Sequence, residues 1–102
     1  MTIKTHVQRP ESGGTVARIH GEFGASDVDH LLAVTIDVEV DGPVAVDFHN
    51  AVAVDDSALI MFAMEFSGRA GHGTLVGLSE HHHRLLRYIG LSKSATRHGD
   101  AD

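Results

Sequence analysis

Residues 44–59 read VAVDFHNAVAVDDSAL, and this stretch contains the change of pattern that decides the fold. Val44–Phe48 is an almost fully apolar strand, the kind that is buried on both faces of a sheet. His49–Val54 carries the chain onward as a connection. Asp55–Ser57 then begins a helix, because short polar side chains cap the free N–H groups of a first helical turn. A buried strand followed by a helix predicts an α/β fold with parallel strand pairs.

Two strands and a helix are predicted upstream of this stretch. Ile3–Arg9 and Thr15–His20 are joined by a turn rich in proline and glycine, and they predict a hairpin whose second strand is ended by Gly21–Ala25. Ser26 is the predicted N-cap of the first helix, and Val28–Leu32 contains its apolar stripe.

The segment Thr35–Val40 fits two structures. Its strict alternation of polar and apolar residues is typical of a strand. It also fits the last turns of the first helix, where Ile36 would continue the face of Val28–Leu32. Asp41–Pro43 ends whichever element forms.

The alternation of strand and helix continues downstream. The predicted elements are a second helix that starts at Asp55 and ends near Gly68 or Gly71, a buried strand Thr74–Leu78 and a third helix from Ser79 to Gly90. The result is a mixed, mostly parallel sheet of about four strands with helices packed on it. One domain, residues 1–91, is followed by a polar tail, residues 92–102, that is predicted to be disordered.

Composition excludes several classes of function. The net charge of -6 disfavours a nucleic-acid or anionic membrane partner, and the longest apolar stretch, Ala58–Phe66, is shorter than the roughly 20 residues that span a bilayer. The absence of cysteine excludes disulfides and thiolate chemistry. No apolar region follows Met1 to suggest a signal peptide. These features favour a cytoplasmic location.

The sequence offers little support for an enzyme. Neither a Gly-x-Ser-x-Gly elbow nor a lysine-containing phosphate loop is present. His81, His82 and His83 are consecutive, and successive helical side chains point about 100° apart. We therefore expect a solvated helix start rather than three ligands converging on one ion, and predict no metal and no other cofactor.

Four segments together resemble the STAS domain family, and most closely the bacterial anti-sigma-factor antagonists. The segments, which lie in family order within residues 16–91, are Ile19–Phe23 (IHGEF), Val44–Phe48 (VAVDF), Asp55–Leu59 (DDSAL) and Arg84–Leu91 (RLLRYIGL). The resemblance implies a STAS-like sandwich that binds an anti-sigma factor, a serine kinase of the histidine-kinase-like type, and so regulates a sigma factor without catalysing a reaction. No match to the family's last strand and helix follows Leu91.

The family's switch region is altered in this chain. In regulated members a cognate kinase phosphorylates the serine directly after the aspartate of the signature, and ungapped matching puts Asp56 there. Ser57 falls on the second hydroxyl position and is the candidate phospho-acceptor, whereas Asp56 is the phosphosite equivalent and a partial mimic of a phosphate. A member without phosphorylation, acting as a scaffold or as an accessory module of a signalling or transport complex, is the alternative.

The predicted partner surface surrounds this switch region. It comprises His49, Asn50, Asp55, Asp56 and Ser57, with Glu22 and Ser26 at its edge. Ile60, Met61 and Met64 widen the apolar stripe of the second helix, and any of them that face outward would extend the surface along that helix, since methionine suits adaptable interfaces.

Overall fold

The computed structural model describes residues 3–11, 13–39, 42–70 and 73–90. Its elements confirm the predicted α/β class, with five strands and three α-helices in the described part. In chain order they are β1 (Lys4–Gln8), β2 (Thr15–Phe23), a 3-10 turn (Ala25–Asp27), α1 (Val28–Glu39), β3 (Val44–Asp47), β4 (Ala51–Val54), α2 (Asp56–Ala70), β5 (Thr74–Val76) and α3 (Glu80–Tyr88).

The long strand β2 organises the sheet. It pairs antiparallel with β1, as the predicted hairpin requires, and parallel with β3 through Thr15–Arg18. The prediction that Gly21 ends this strand is wrong, because β2 passes through an irregularity between Gly21 and Glu22 and continues to Phe23. Gly21 adopts a φ of 99°, which is accessible to glycine without the penalty of a β-carbon. The order β1-β2-β3-β5 leaves only the first pair antiparallel.

The strand β4 was not predicted as a strand. Its residues, Ala51–Val54, pair parallel with the second half of β2, beyond the part that β3 occupies. The turn at His49 and Asn50 separates β3 from β4, so both strands run along the same edge of β2. A segment of four residues is too short for its pattern to distinguish a strand from a loop. Ala51–Val54 forms a strand because β2 is long enough to pair with it beyond β3.

One face of the sheet forms the core, which corrects the prediction that β3 is buried on both faces. Val44 and Val46 are buried among the helices, whereas Ala45 and Asp47 on the opposite face are only partly buried. Arg18 on β2 donates through Nε to Asp47 Oδ2 at 3.2 Å on that second face. Because helices cover only one side of the sheet, the other side of β3 accommodates the polar Asp47.

The first helix includes the ambiguous segment as helix up to Glu39, and Val40 lies outside the described residues. Ser26 is not the N-cap: it lies within the 3-10 turn, and the Gly24 N–H donates to buried Asp27 instead. Ile36 is also misassigned, since it is 47% exposed while Thr35 and Val38 are buried. The buried positions recur at alternating steps of three and four residues, which turns Ile36 toward solvent.

Helix α2 is anchored deeply in the core. Its fully buried residues are Ala58, Leu59, Phe62, Ala63 and Phe66. The ring of Phe62 lies 6.1 Å from that of Phe23 and 6.5 Å from that of Phe48, edge to face, which fixes α2 over the junction of β2 and β3. The helix ends at Ala70, between the two glycines predicted to end it.

Helix α3 is held by fewer residues. Only Leu86 and His83 of this helix are buried, at 0% and 7% exposure. It ends at Tyr88, and Gly90 beyond it adopts a φ of 88°, in agreement with the predicted glycine stop. The predicted tail and the expected loss of a last strand and helix concern residues 91–102, outside the described residues. Within the described residues, no helix is long and apolar enough to cross a membrane.

Candidate functional site

The start of α2 is capped by Asp55. The Ala58 N–H donates to Asp55 Oδ2 at 3.0 Å, and the Asp55 N–H donates to the Phe23 carbonyl at 2.9 Å. The predicted helix start is therefore in place, with Asp55 as the cap and with Asp56 and Ser57 as the first two helical residues. Because the cap tethers α2 to the end of β2, the candidate acceptor Ser57 has a defined and exposed position.

The start of α3 is capped in the same way by Ser79. The His82 N–H donates to Ser79 Oγ at 3.2 Å, and Ser79 Oγ also lies 2.8 Å from Nδ1 of the same histidine. The serine therefore both caps the helix and orients the His82 ring. Just before it, Gly77 adopts a φ of 75°, and a β-carbon there would lie 2.5 Å from Asp47 Oδ1. This close approach brings the start of α3 against the end of β3.

The two helix starts meet at the Asp56 carboxylate. His81 Nε2 lies 2.9 Å from Oδ2 and 3.1 Å from Oδ1, and His82 Nε2 lies 2.9 Å from Oδ1. A carboxylate only accepts hydrogen bonds, so both imidazoles donate through Nε2–H. The His81 side chain is 65% exposed, whereas that of His82 is only 14% exposed.

The three consecutive histidines do not converge, as expected, but two of them, His81 and His82, both reach Asp56. Side chains in a first helical turn lean toward the N-terminus, so both imidazoles extend past the end of α3 toward Asp56. The third histidine follows the expectation, since His83 turns into the core and is 7% exposed. Of the three histidines, only His81 is therefore exposed, together with Ser79 and Glu80 at the helix start.

The histidines favour the ionised form of Asp56. The hydrogen bond from His81 is the largest cause that holds the pKa of Asp56 below its ordinary value of 3.8, with a smaller contribution from His82. Partial desolvation acts in the opposite direction and is outweighed. At neutral pH Asp56 therefore carries a negative charge that is partly satisfied by two imidazole N–H groups.

The other predicted site residues lie in two shallow depressions on either side of β4. Glu22, Ser26 and Asp55 line the first, together with the ends of β2 and β4. His49 lines the second with Ser79 and His82. Asn50 is exposed in the turn that leads into β4. The seven predicted residues thus lie around the carboxyl ends of β2 and β4 and the adjoining turn and helix start.

An exposed stripe extends from this region along α2. Ser57, Met61 and Met64 lie at i, i+4 and i+7, which is one face of a helix. Met61 and Met64 are 51% and 60% exposed, so these two methionines face outward. Val52 on β4 is a further apolar residue with high exposure, at 78%. Below, we call Ser57, Met61 and Met64 the α2 stripe.

Ser79, His81 and His82 were missed as members of this site. One signal in the sequence could have indicated them. Helices that follow the strands of a parallel sheet begin at the same edge of that sheet, so the residues after β5 are expected near those after β4. The particular contact to Asp56 also depends on the rotation of α3, which is set by Leu86 and His83 in the core.

Comparison with solved structures identifies the fold. The chain superposes on an anti-sigma factor antagonist from Mycobacterium paratuberculosis with a TM-score of 0.70 and 19% identity, covering 98% of this chain and 88% of that one. It also superposes on unphosphorylated SpoIIAA, an anti-sigma factor antagonist, with a TM-score of 0.64 and 16% identity, covering 95% and 90%. For the Bacillus cell fate determinant SpoIIAA in its phosphorylated form the TM-score is 0.61 at 14% identity, covering 95% and 93%.

These similarities show a SpoIIAA-like fold over almost the whole chain and confirm the predicted fold class. No family model and no curated protein sequence matches the chain. At identities of 14–19% the likeness concerns the backbone, and the site residues have to be judged on their own chemistry.

Proposed function

We propose that this protein is an anti-sigma-factor antagonist that binds an anti-sigma factor through the start of α2 and the α2 stripe. The observation that carries the proposal is the continuity of this surface: a capped helix start with an exposed hydroxyl leads directly into two exposed methionines. Flexible, polarizable methionine side chains suit a docking surface that adapts to a partner. The solved proteins with the same fold include named anti-sigma factor antagonists, which supports this class of partner.

The charge at Asp56 and the hydroxyl of Ser57 give this surface a means of regulation. SpoIIAA has been solved in phosphorylated and unphosphorylated forms, which supports control of this fold by a phosphate. In this chain we propose Ser57 as the acceptor and an anti-sigma factor that is itself a serine kinase as the partner. A phosphate on Ser57 adds about 1.5 to 2 negative charges beside Asp56. A partner surface that accepts the neutral hydroxyl would be repelled by this added charge and would be released. A kinase that uses ATP would place the complex in the cytoplasm.

The docking surface is tested by isothermal titration calorimetry against purified histidine-kinase-like anti-sigma factors from the source cell. Met61→Lys with Met64→Lys is expected to weaken binding at least about tenfold, because each places a charge in a desolvated contact. Ile36→Lys is the matched control, since Ile36 is 47% exposed and lies on α1 rather than in the proposed surface. Equal affinity of the double variant and wild type, measured with a partner that binds, would place the docking surface elsewhere.

The regulatory step is tested by incubation with the partner kinase and ATP, followed by intact-mass measurement. Wild type is expected to gain the mass of one phosphate, and Ser57→Ala is expected to gain none. Ser67, also on α2, supplies the control variant Ser67→Ala, which is expected to be modified like wild type. If the kinase phosphorylates Asp56→Ser but leaves the mass of wild type unchanged, Ser57 is not an acceptor and wild type has lost the phosphorylation switch.

A second candidate function is supported by Asp56. Its carboxylate already occupies the acceptor position and is held by two histidines, so the surface carries a permanent negative charge. A scaffold or accessory module that docks without phosphorylation would need only this fixed charge. Binding that is equal in wild type and Ser57→Ala, with no phosphorylation of either, would favour this function over the regulated antagonist.

A further inference from the structure

We propose that Asp56, His81 and His82 bind a divalent transition-metal ion of the Zn²⁺ class at the junction of the α2 and α3 starts. Two imidazole nitrogens and one carboxylate oxygen form a donor set that Zn²⁺ accepts, with water completing a tetrahedral site. Among the described residues, these three are the one group of this kind whose ligand atoms lie within 4.8 Å of one another. The inference does not rest on the proposed function.

The distances agree with a metal site after small side-chain movements. Zn²⁺ bonds of about 2.0–2.2 Å in tetrahedral geometry separate the ligand atoms by roughly 3.4 Å. The histidine Nε2 atoms lie 2.9–3.1 Å from the carboxylate oxygens of Asp56. The distances between the histidine nitrogens and the carboxylate oxygens therefore have to lengthen by only a few tenths of an ångström, and all the ligand atoms lie within 4.8 Å of one another. His81 and Asp56 are more than half exposed, so they are free to make this movement in solvent.

Ser79 provides the supporting contact that such sites need. A histidine that binds a metal through Nε2 carries its proton on Nδ1, and that proton requires an acceptor. Ser79 Oγ lies 2.8 Å from His82 Nδ1 and is placed there by its role as the N-cap of α3. When the metal binds Nε2, the ring proton is carried on Nδ1 instead. Nδ1–H then donates to this hydroxyl oxygen, so the ring keeps its orientation.

The electrostatics contain one opposing and one favourable contribution. The positive ends of the α2 and α3 dipoles disfavour a cation at this junction. The carboxylate of Asp56 acts at much shorter range than the two dipoles, and its negative charge favours a cation. A bound divalent ion would reverse the sign of the charge at the position equivalent to the phosphosite.

The site is tested by titrating the full-length, tag-free protein with Zn²⁺ in a calorimeter, because a histidine tag would bind the metal itself. We expect one ion per chain at the site. Asp56→Asn and His82→Gln are each expected to raise the Kd more than tenfold, and Ser79→Ala by about tenfold through loss of the supporting contact. Thermal unfolding of each variant without metal shows that the variant is folded.

The protein contains nine histidines, so the control has to exclude adventitious binding. His6 and His20 supply it, since their rings lie 5.1 Å apart on neighbouring strands. The double variant His6→Gln/His20→Gln is expected to keep the affinity and stoichiometry of wild type. Equal losses in this variant and in His82→Gln would overturn the proposal, as would a Zn²⁺ affinity that Asp56→Asn leaves unchanged.

A spectroscopic measurement separates coordination from a structural effect of the substitutions. Long-range ¹H–¹⁵N spectra of wild type report which ring nitrogen of each histidine loses its proton. On addition of Zn²⁺ we expect the Nε2 resonances of His81 and His82 to shift while those of His6 and His20 stay in place. Shifts that are distributed over all the histidines would contradict a defined site.

Discussion

The starts of α2 and α3 lie side by side, and they differ in how firmly each helix is anchored. Both helices are capped by a side-chain oxygen that accepts a backbone N–H three residues later. Helix α2 buries five residues completely, including Phe62 and Phe66, whereas α3 buries one residue completely, Leu86. The backbone that carries Asp56 is therefore held firmly by the core, and α3, which carries His81 and His82, is the more adjustable of the two helices. A site built this way can respond to a ligand without unfolding the core.

The largest expected loss of stability comes from substitutions that open a cavity beneath α2 or α3, and these test the difference in anchoring. Phe62→Ala is expected to lower the free energy of unfolding by roughly 3–5 kcal/mol, because it removes a ring that contacts three others in the core. Leu86→Ala is expected to cost about 2 kcal/mol, at the low end for a buried leucine, since α3 can move to fill the space. Urea unfolding measures both values. A larger loss for Leu86→Ala would show that α3 is the firmer anchor.

Substitution of Gly77, just before α3, is expected to lower stability by less than Phe62→Ala does. Gly77→Ala places a β-carbon 2.6 Å from the His49 nitrogen at a φ of 75°. The left-handed conformation and the backbone contact together are expected to cost roughly 2–3 kcal/mol. Gly13→Ala is the matched control, because Gly13 also has a positive φ but no atom near its β-carbon position. Similar losses for the two variants in urea unfolding would show that conformation alone, without crowding against His49, accounts for the cost.

The two caps should have similar effects on stability but different effects on the site. Asp55→Ala and Ser79→Ala are each expected to cost about 1 kcal/mol, the usual value of an N-cap. Ser79→Ala also frees the His82 ring, because the hydroxyl holds Nδ1. Urea unfolding compares the stabilities, and the histidine resonances in NMR spectra report the ring. An unchanged His82 environment in Ser79→Ala would show that Asp56 alone orients this histidine.

The smallest effect concerns pH. Because the folded-state pKa of Asp56 lies below 3.8, the unfolded chain binds this proton more readily. The stabilisation by Asp56 is therefore present above about pH 4 and is lost as the pH falls through the folded-state pKa. Asp56→Asn should be less stable than wild type near neutral pH, and the difference should vanish in strong acid. A difference that persists well below pH 3.8 would contradict a charge-dependent contact.

Local patterns predicted most of the elements. Alternation and turn residues placed β1, β2, β3 and β5, and helical spacing with caps placed α2 and α3 close to their observed ends. Local signals were insufficient in two segments. Thr35–Val40 fits both a strand and a helix, and its described part, residues 35–39, continues α1. Ala51–Val54 has the composition of a strand but was not predicted as one.

The sequence by itself determined the α/β class and the helix start at Asp55–Ser57, because these depend on patterns of residues close together in the chain. Only the tertiary structure decided that His81 and His82 contact Asp56, about 25 residues earlier. That contact requires α3 to be rotated about its axis by the burial of Leu86 and His83, and to start at the same sheet edge as α2. Rotation and position are properties of packing, which single-sequence periodicity does not contain.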